Sequence, residues 1–229
     1  MNKVINEKLI KRNKTIGNVT SGIGIAILVG GLILNLRPTP TRTMISFGAL
    51  IVGFIVAQVS MYFVTKFGRS PRFDEVIAEN LAKLTNEYTF YVYESPVPML
   101  LVGPYGLWNP VPVSASGEIY FDGKWKQKGG SFFLKLLGQE NIGRPGLEVE
   151  SNQKDIKEFL SHFLEPDEIP PVKSILVSFN PNANIGDVEE APTLITDIEA
   201  MRRTIRKIDR KADEIPQETL DKINEILQS

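Results

Sequence analysis

The sequence predicts an α/β or α+β domain with a mixed central sheet, joined to an N-terminal transmembrane helical hairpin. Three observations predict this class. Two long apolar runs without charged residues, Thr15–Leu36 and Thr43–Thr65, lie near the N-terminus. Short aromatic and β-branched runs, bounded by Gly and Pro, then alternate with stretches of helical periodicity. The roughly 160 residues beyond the apolar runs suffice for one domain with its own core.

Both apolar runs are long enough to cross a membrane as helices. At 1.5 Å rise per residue, each forms a helix of roughly 33 Å, against a bilayer hydrocarbon core of about 30 Å. The link Arg37–Arg42 joins them, and a second span directly after the first argues against a cleaved signal peptide. The alternative, a buried hairpin in a soluble core, is disfavoured because uncharged runs of this length are rare there.

Basic residues flank the hairpin asymmetrically. The link contains Arg37 and Arg42 only, and the positive-inside rule therefore places both termini and the soluble domain in the cytoplasm, with two passes through the cell membrane. The expected parts are a basic N-terminus (1–14), the hairpin (15–66) and a soluble domain (70–229). The outer basic residues are Lys3, Lys8, Lys11, Arg12, Lys14, Lys66, Arg69 and Arg72.

Small residues recur at every fourth position in both apolar runs. Such stripes allow close helix packing in lipid, either within the hairpin or between two chains. Besides the lipid bilayer, a second copy of the chain is therefore an expected partner. The runs contain no ionisable residue, which makes a channel or transporter a poor interpretation. The stripes are Gly22, Ala26 and Gly30 in the first run and Ala49, Gly53 and Ala57 in the second.

Composition excludes several chemistries. The net charge of −1 indicates no nucleic-acid partner from bulk charge alone. Cys is absent, which excludes disulfides, thiolate metal sites and a Cys nucleophile. The single His, His162, falls in an amphipathic run and is interpreted as a helix-surface residue. No cofactor is expected, since phosphate-loop, dinucleotide-binding and zinc-ligand spacings are missing from the sequence.

The soluble part is expected to begin with a helix and continue with strands. Ser70 and Pro71 are typical of a helix start. The aromatic run Tyr88–Tyr93 and the apolar run Met99–Val102 predict strands. A strand over Leu107–Val113 is expected to be interrupted by its prolines, Pro110 and Pro112. Glu118–Phe121 and Lys124–Lys126 predict a hairpin around Asp122-Gly123.

The C-terminal half is expected to continue the alternation. Helical periodicity covers Ile156–Phe163, and the apolar run Val172–Phe179 predicts a buried strand. Residues 180–192 are interpreted as a loop, before a short strand at Thr193–Ile195. Thr196 with Glu199 predicts a capping box for a helix over Asp197–Ile208, and Pro216 opens the last helix.

One stretch resembles a known family. The run Leu100–Trp108, then Gly117-Glu-Ile-Tyr and Gly123-Lys-Trp125, is similar to the nuclease-related (NERD) domain. Ala78-Glu79-Asn80-Leu81, Gly143-Arg-Pro145 and Val177–Pro181 fit the same pattern, which covers about residues 73–227. The resemblance implies a restriction-endonuclease-like fold.

The resemblance also implies a catalytic arrangement that this sequence lacks. In such nucleases an Asp at the start of the second strand and a Glu-x-Lys on the third hold Mg²⁺ and the attacking water. The corresponding positions here are Pro98, Val111 and Val113, and the helix carboxylate Glu79 alone remains. No catalytic or metal-binding residue is therefore assigned. A site relocated to Glu94 or Glu118 is the alternative, although neither has a Lys two residues later.

Two basic clusters could contact phosphate groups. Trp125 between Lys124 and Lys126 is either a base-stacking platform or a sheet-edge tryptophan. A second cluster forms one face of a C-terminal helix; it is either a solvated surface, a contact for anionic lipid or, third, a nucleic-acid contact. That cluster comprises Arg202, Arg203, Arg206, Lys207 and Arg210.

The sequence therefore predicts a membrane-anchored, non-catalytic domain with a degenerate nuclease site, acting as a binding or scaffolding module. The alternative is a membrane-attached, Mg²⁺-dependent nuclease with a displaced active site.

Overall fold

The computed structural model describes residues 1–136 and 140–228, which form two compact units. One unit is Asn6–Phe73 and contains the two long apolar helices. The other unit combines Met1–Ile5 with Asp74–Ser229. The first five residues thus belong to the folded domain, whereas the sequence placed them in a separate basic N-terminus.

The first unit is a helical hairpin. Helix α1 spans Glu7–Asn35, and helix α2 spans Pro40–Phe63 and is followed by a π-helical turn, Val64–Gly68. Asn6 caps α1 by accepting a hydrogen bond from the Leu9 amide. Both helices are long and apolar enough to cross a membrane, and most of their surface is exposed.

The two helices meet along a seam of small residues spaced by seven. The Ser46 hydroxyl donates to the Gly31 carbonyl (2.7 Å), and the Ser60 hydroxyl donates to the Gly17 carbonyl (3.1 Å). A Cβ added at Gly31 would lie 2.9 Å from the Ala49 Cβ, so the glycine permits the close approach. The buried positions are Gly17, Gly24, Gly31, Ser46, Gly53 and Ser60.

This seam corrects the predicted packing of α1. Nothing lies within 4 Å of a Cβ placed at Gly22 or Gly30, and Ala26 is exposed. Gly22 lies two residues before the seam residue Gly24, about 160° away around the helix. On α2 the predicted stripe does adjoin the seam, where Gly53 is buried. Association of two chains through Gly22, Ala26 and Gly30 stays a prediction.

The second unit contains two sheets in the part of the chain that the structure describes. A six-stranded sheet has the order β1-β2-β3-β4-β7-β9, and a three-stranded sheet has the order β6-β5-β8. The strands are β1 (Asn2–Ile5), β2 (Thr89–Val92), β3 (Met99–Gly103), β4 (Gly106–Val113), β5 (Gly117–Phe121), β6 (Trp125–Lys128), β7 (Val172–Ser178), β8 (Ala183–Ile185) and β9 (Leu194–Asp197).

Strand direction gives the larger sheet two distinct edges. Among its described strands, β3 is antiparallel to both neighbours, and the pairs β1–β2, β4–β7 and β7–β9 are parallel. The strands other than β3 therefore all end at one edge, which we call the carboxyl edge. It contains Ile5, Val92, Val113, Ser178 and Asp197. The opposite, amino edge is where these strands begin.

Helices cover both faces of this sheet. Helices α5 and α7 pack on one face, where Asn152 of α5 bonds to Asn109 and Tyr91 bonds to Asn224 of α7. Helix α6 packs on the face that carries Trp108. The helices of this unit are α3 (Phe73–Leu81), α4 (Phe132–Leu136), α5 (Pro145–Leu160), α6 (Ile198–Asp209) and α7 (Gln217–Gln228). The predicted α/β class with a mixed sheet is confirmed.

The prolines of β4 do not interrupt it, contrary to the prediction. The Leu107 amide and the Val113 carbonyl bond towards β7, so the nitrogens of Pro110 and Pro112 point towards β3. The register of β3 with β4 ends at the pair Leu101–Trp108. Beyond it, the Asn109 side-chain amide donates to the Met99 carbonyl at 2.8 Å and replaces the amide hydrogen that Pro110 lacks.

Two local predictions in the C-terminal half are wrong. Thr196 lies within β9, and the helix α6 is capped by Asp197 without a side-chain hydrogen bond, so the capping box does not form. The segment interpreted as a loop, 180–192, contains β8, which pairs with β5.

Candidate functional site

The three positions expected to carry nuclease chemistry lie at the carboxyl edge. Pro98 directly precedes β3, and Val111 and Val113 lie on β4. Both valines are buried, in an apolar cluster that includes Val149 and Leu176. Both positions therefore contribute to core packing.

The other acids of the nuclease hypothesis are dispersed. Glu79 is exposed on α3. Glu94 follows β2 of the larger sheet, whereas Glu118 lies in β5 of the smaller sheet. Within residues 1–136 and 140–228, no three acidic or histidine side chains form a group able to hold a metal ion.

Trp125, for which the sequence left a base-stacking platform and a sheet-edge position open, is buried. Trp125 is 8% exposed, packs edge to face with Phe121 at 5.5 Å between ring centroids, and belongs to the same apolar cluster as Val111. It is therefore a core residue of the smaller sheet. Lys126 pairs with Asp122, which lowers the pKa of the Asp122 carboxyl and raises that of the Lys126 ammonium. Lys124 is exposed.

The predicted basic face of α6 is present. Arg203, Arg206, Lys207 and Arg210 are exposed, and Arg202 is half-buried. In the described part of the chain, none of the five forms an ion pair. The opposite side of the helix is apolar, and Met201 and Ile205 there are fully buried.

A buried polar cluster lies where α6 ends, at the amino edge. Asp209 is 2% exposed, and its carboxylate accepts hydrogen bonds from the Tyr88 hydroxyl (2.7 Å) and the Trp108 indole (3.0 Å). The Lys173 ammonium lies 3.7 Å from the same carboxylate. A buried carboxylate needs such partners, because its desolvation would otherwise cost several kcal/mol.

Each partner of Asp209 is held in place by other contacts. Lys173 also donates to the Tyr105 carbonyl (3.1 Å) and lies over the Trp108 ring, 5.2 Å from its centroid. Burial, followed by the hydrogen bond to Asp209, raises the pKa of the Tyr88 phenol well above its ordinary value of 10.0. Tyr88 therefore stays a neutral hydrogen-bond donor, and the cluster fixes the end of α6 to β2, β4 and β7.

Two cavities adjoin this cluster. One, of about 230 Å³, is lined by Tyr88 and Asp209 and by three basic side chains, Lys83, Arg206 and Arg210. The other, of about 500 Å³, shares Tyr105 with the first. Acidic residues dominate the charged lining of the larger cavity: Asp167, Glu168, Asp213 and Glu214, with Lys173. The site thus has a basic and an acidic side.

Sequence reasoning missed this cluster. It assigned no role to Asp209 in a site. A signal was available, because Asp209 continues the four-residue spacing of the buried residues Met201 and Ile205. An acid on the apolar face of an amphipathic helix is seldom buried unless it is paired.

Compared with known proteins, the chain matches no protein-family model, no curated protein and no solved structure.

Proposed function

We propose that this protein is a membrane-anchored, non-catalytic binding module. In this proposal α1 and α2 cross the cell membrane as a two-pass hairpin, and the folded domain lies in the cytoplasm. The domain has the nuclease-like fold implied by the resemblance to nuclease-related domains, with an edge of the sheet where nuclease chemistry has been replaced by core packing.

The observation that carries the proposal is the pairing of β1 with β2. These strands are parallel over four residues, Asn2–Ile5 with Thr89–Val92, and the Asn2 amide donates to the Tyr88 carbonyl at 2.8 Å. The chain before α1 and the chain after α2 therefore share one sheet. If the hairpin is embedded in a bilayer, both segments must lie on the same side, which requires an even number of spans.

The charge pattern supports the cytoplasmic side. The link between α1 and α2 contains two arginines, whereas the outer flanks contain eight basic residues. One residue, Asn6, separates β1 from α1, and the polar first turns of α1, Glu7–Lys14, add about 12 Å before the uncharged run begins. That length suits the polar head-group region of one leaflet.

The buried valines support the absence of nuclease chemistry. Val111 and Val113 are 1% and 3% exposed, so a metal ion at their positions would meet hydrocarbon rather than oxygen ligands. The side chain of Pro98 likewise contains no atom that could bind a metal ion. The α3 carboxylate Glu79 is exposed, and the three positions that correspond to the other catalytic residues contain no second acid.

Cysteine-accessibility labelling of the full chain tests the topology, because the native sequence contains no Cys. A membrane-impermeant maleimide should reach Lys3→Cys and Ser151→Cys from the cytoplasmic side and Thr41→Cys from the outside. All three positions are exposed. Labelling of positions 3 and 151 from opposite sides would contradict both the topology and the β1–β2 pairing.

A cleavage assay tests the chemistry. The full chain with Mg²⁺ is expected to leave DNA and RNA intact. Metal-dependent cleavage that disappears in Glu79→Ala would instead establish the alternative, a membrane-attached nuclease with a displaced site. Glu75→Ala, on the same helix, is the matched control for surface charge.

A further inference from the structure

We propose that the basic cavity at the amino edge binds a phosphate or diphosphate group. The proposal gives the binding module its ligand class and rests on that proposed function. It does not depend on the membrane topology or on the nuclease resemblance, because all of the residues concerned lie within the folded domain.

The charges of the cavity favour an anion. Lys83, Arg206 and Arg210 line it, are exposed and form no ion pair within the described residues. Two carboxylates also line it, Glu87 and Asp209. Asp209 is already bonded by two donors and faced by Lys173, and Glu87 accepts from the Thr85 hydroxyl at 2.7 Å. The three cationic side chains therefore outnumber the two carboxylates and have free donors for an anion.

The arginines also have the chemistry that phosphate recognition uses. A guanidinium offers a planar fork of donors that matches two phosphate oxygens. Arg206 and Arg210 are four residues apart, so they lie one above the other on the same side of α6. The Asp209 cluster fixes this end of the helix to the sheet, which reduces the ordering cost of binding.

The size of the cavity limits the ligand. Its volume of about 230 Å³ is below the roughly 300 Å³ at which pockets for drug-sized ligands begin. A phosphate or diphosphate group fits this space, and the remainder of a ligand would lie outside it. The acidic cavity on the other side of Tyr105 is the neighbouring space for such a remainder.

The recognised group has the same chemistry in a small ligand from solution and in a lipid head group, because both present phosphate oxygens to the guanidinium groups. The experiment therefore includes an arm that distinguishes these two sources.

Calorimetric titration of the full chain in nanodiscs of zwitterionic phosphatidylcholine tests the proposal, with inorganic phosphate and pyrophosphate as the probes. Saturable binding of pyrophosphate is expected. Fluorescence gives a second readout, because the chain has two tryptophans and Trp125→Phe leaves Trp108, which is bonded to Asp209, as the reporter.

Arg206→Gln and Arg210→Gln should each weaken pyrophosphate binding about tenfold or more, the usual effect of losing a charge-assisted hydrogen bond. Arg203→Gln is the matched control. It removes the same charge from the same exposed face but does not line the cavity, and it should leave binding nearly unchanged. Unchanged circular dichroism spectra will establish that the variants are folded.

Two results would overturn the proposal. Absence of saturable pyrophosphate binding at low salt would show that the cavity is not a phosphate site. Equal weakening by Arg203→Gln and Arg206→Gln would show that pyrophosphate responds only to diffuse surface charge. Competition by anionic lipid in the nanodisc, seen in the wild type and lost in Arg206→Gln, would support the site and assign the phosphate to a lipid head group, whereas binding without such competition would assign it to a ligand from solution. Failure of this experiment alone leaves the topology and cleavage tests of the proposed function standing.

Discussion

The two edges of the six-stranded sheet contain opposite kinds of chemistry. At the carboxyl edge, where the parallel strands end, Val111 and Val113 are packed in an apolar cluster. At the amino edge, the buried Asp209 collects hydrogen bonds from Tyr88 and Trp108 and lies beside Lys173. Ligands of open α/β sheets usually bind outside the carboxyl ends of the strands. Here the paired charges and both described cavities lie at the other edge.

The difference teaches that one edge of a sheet can be filled by apolar packing while paired polar residues occupy the other. At the carboxyl edge the apolar side chains have only to pack together, so a substitution there changes the packing energy alone. The amino edge is less tolerant, since each member of its cluster satisfies a buried polar group of another. We therefore expect the loss of unfolding free energy to be largest where a substitution leaves a buried polar group of the amino edge without its partner.

The largest effect is expected for Asp209→Ala. The substitution leaves the Tyr88 hydroxyl and the Trp108 indole without their acceptor and Lys173 without its counter-charge. Removing one partner of a buried pair typically costs about 3–5 kcal/mol of unfolding free energy. Denaturant unfolding of the full chain in detergent, followed by tryptophan fluorescence, measures it.

Asp209→Asn is the matched control, because it keeps the size of the side chain and one acceptor oxygen and should cost less. A loss below about 1 kcal/mol for Asp209→Ala would mean that the cluster behaves as solvated surface and that the contrast between the two edges is false.

The element types of the domain could be predicted, because they follow from local patterns. The aromatic run at β2 and the apolar run at β7 are strand signals in themselves. Strand β1 could not be predicted in this way. Four residues, Asn2–Ile5, carry no periodic signal, and they become a strand only because β2, more than eighty residues later, offers an edge.

Only one of the two parts of the candidate site could be predicted from the sequence. The basic face of α6 is a pattern within one helix, and four of its five residues are exposed; what this face contacts stays a prediction. The Asp209 cluster joins Tyr88, which directly precedes β2, with residues of β4, β7 and α6, so its partners depend on strand order and register. The same applies to β4, where Asn109 compensates for Pro110 only through its contact with the neighbouring strand β3.

Asn109→Ala is expected to have the second-largest effect. Its side chain, 1% exposed, donates to the Met99 carbonyl and accepts from Asn152 at 3.0 Å. Without this side chain the Met99 carbonyl has no donor, because Pro110 lacks an amide hydrogen, and the unfolding free energy should fall by about 2–3 kcal/mol. The same unfolding assay measures the loss. Asn152→Ala removes just one of the two hydrogen bonds and should reduce the unfolding free energy less. Equal losses would show that Asn109 stabilises the fold through its bond to α5 rather than through its bond to the Met99 carbonyl.

The smallest effect is expected for Tyr88→Phe, and it should depend on pH. The substitution removes one of two hydrogen bonds to Asp209 while Trp108 and Lys173 remain, at a cost of about 1–2 kcal/mol near neutral pH.

The pH dependence follows from the raised pKa of the Tyr88 phenol. In the unfolded chain this phenol ionises around its ordinary value of 10.0, whereas in the folded chain it does so at higher pH. Its contribution to stability is therefore complete below pH 10 and declines as the pH rises through the folded-state pKa. Unfolding free energies of wild type and Tyr88→Phe should therefore differ by a constant amount below pH 10 and converge as the pH rises above about 10. Burial also raises the pKa of the Tyr91 phenol. The unfolding free energies of both proteins therefore share a further decline at high pH, and the substitution Tyr91→Phe removes that decline. Parallel curves for wild type and Tyr88→Phe would show that the phenol is not held neutral by burial and by Asp209, and the amino edge would then be no more sensitive to ionisation than the apolar carboxyl edge.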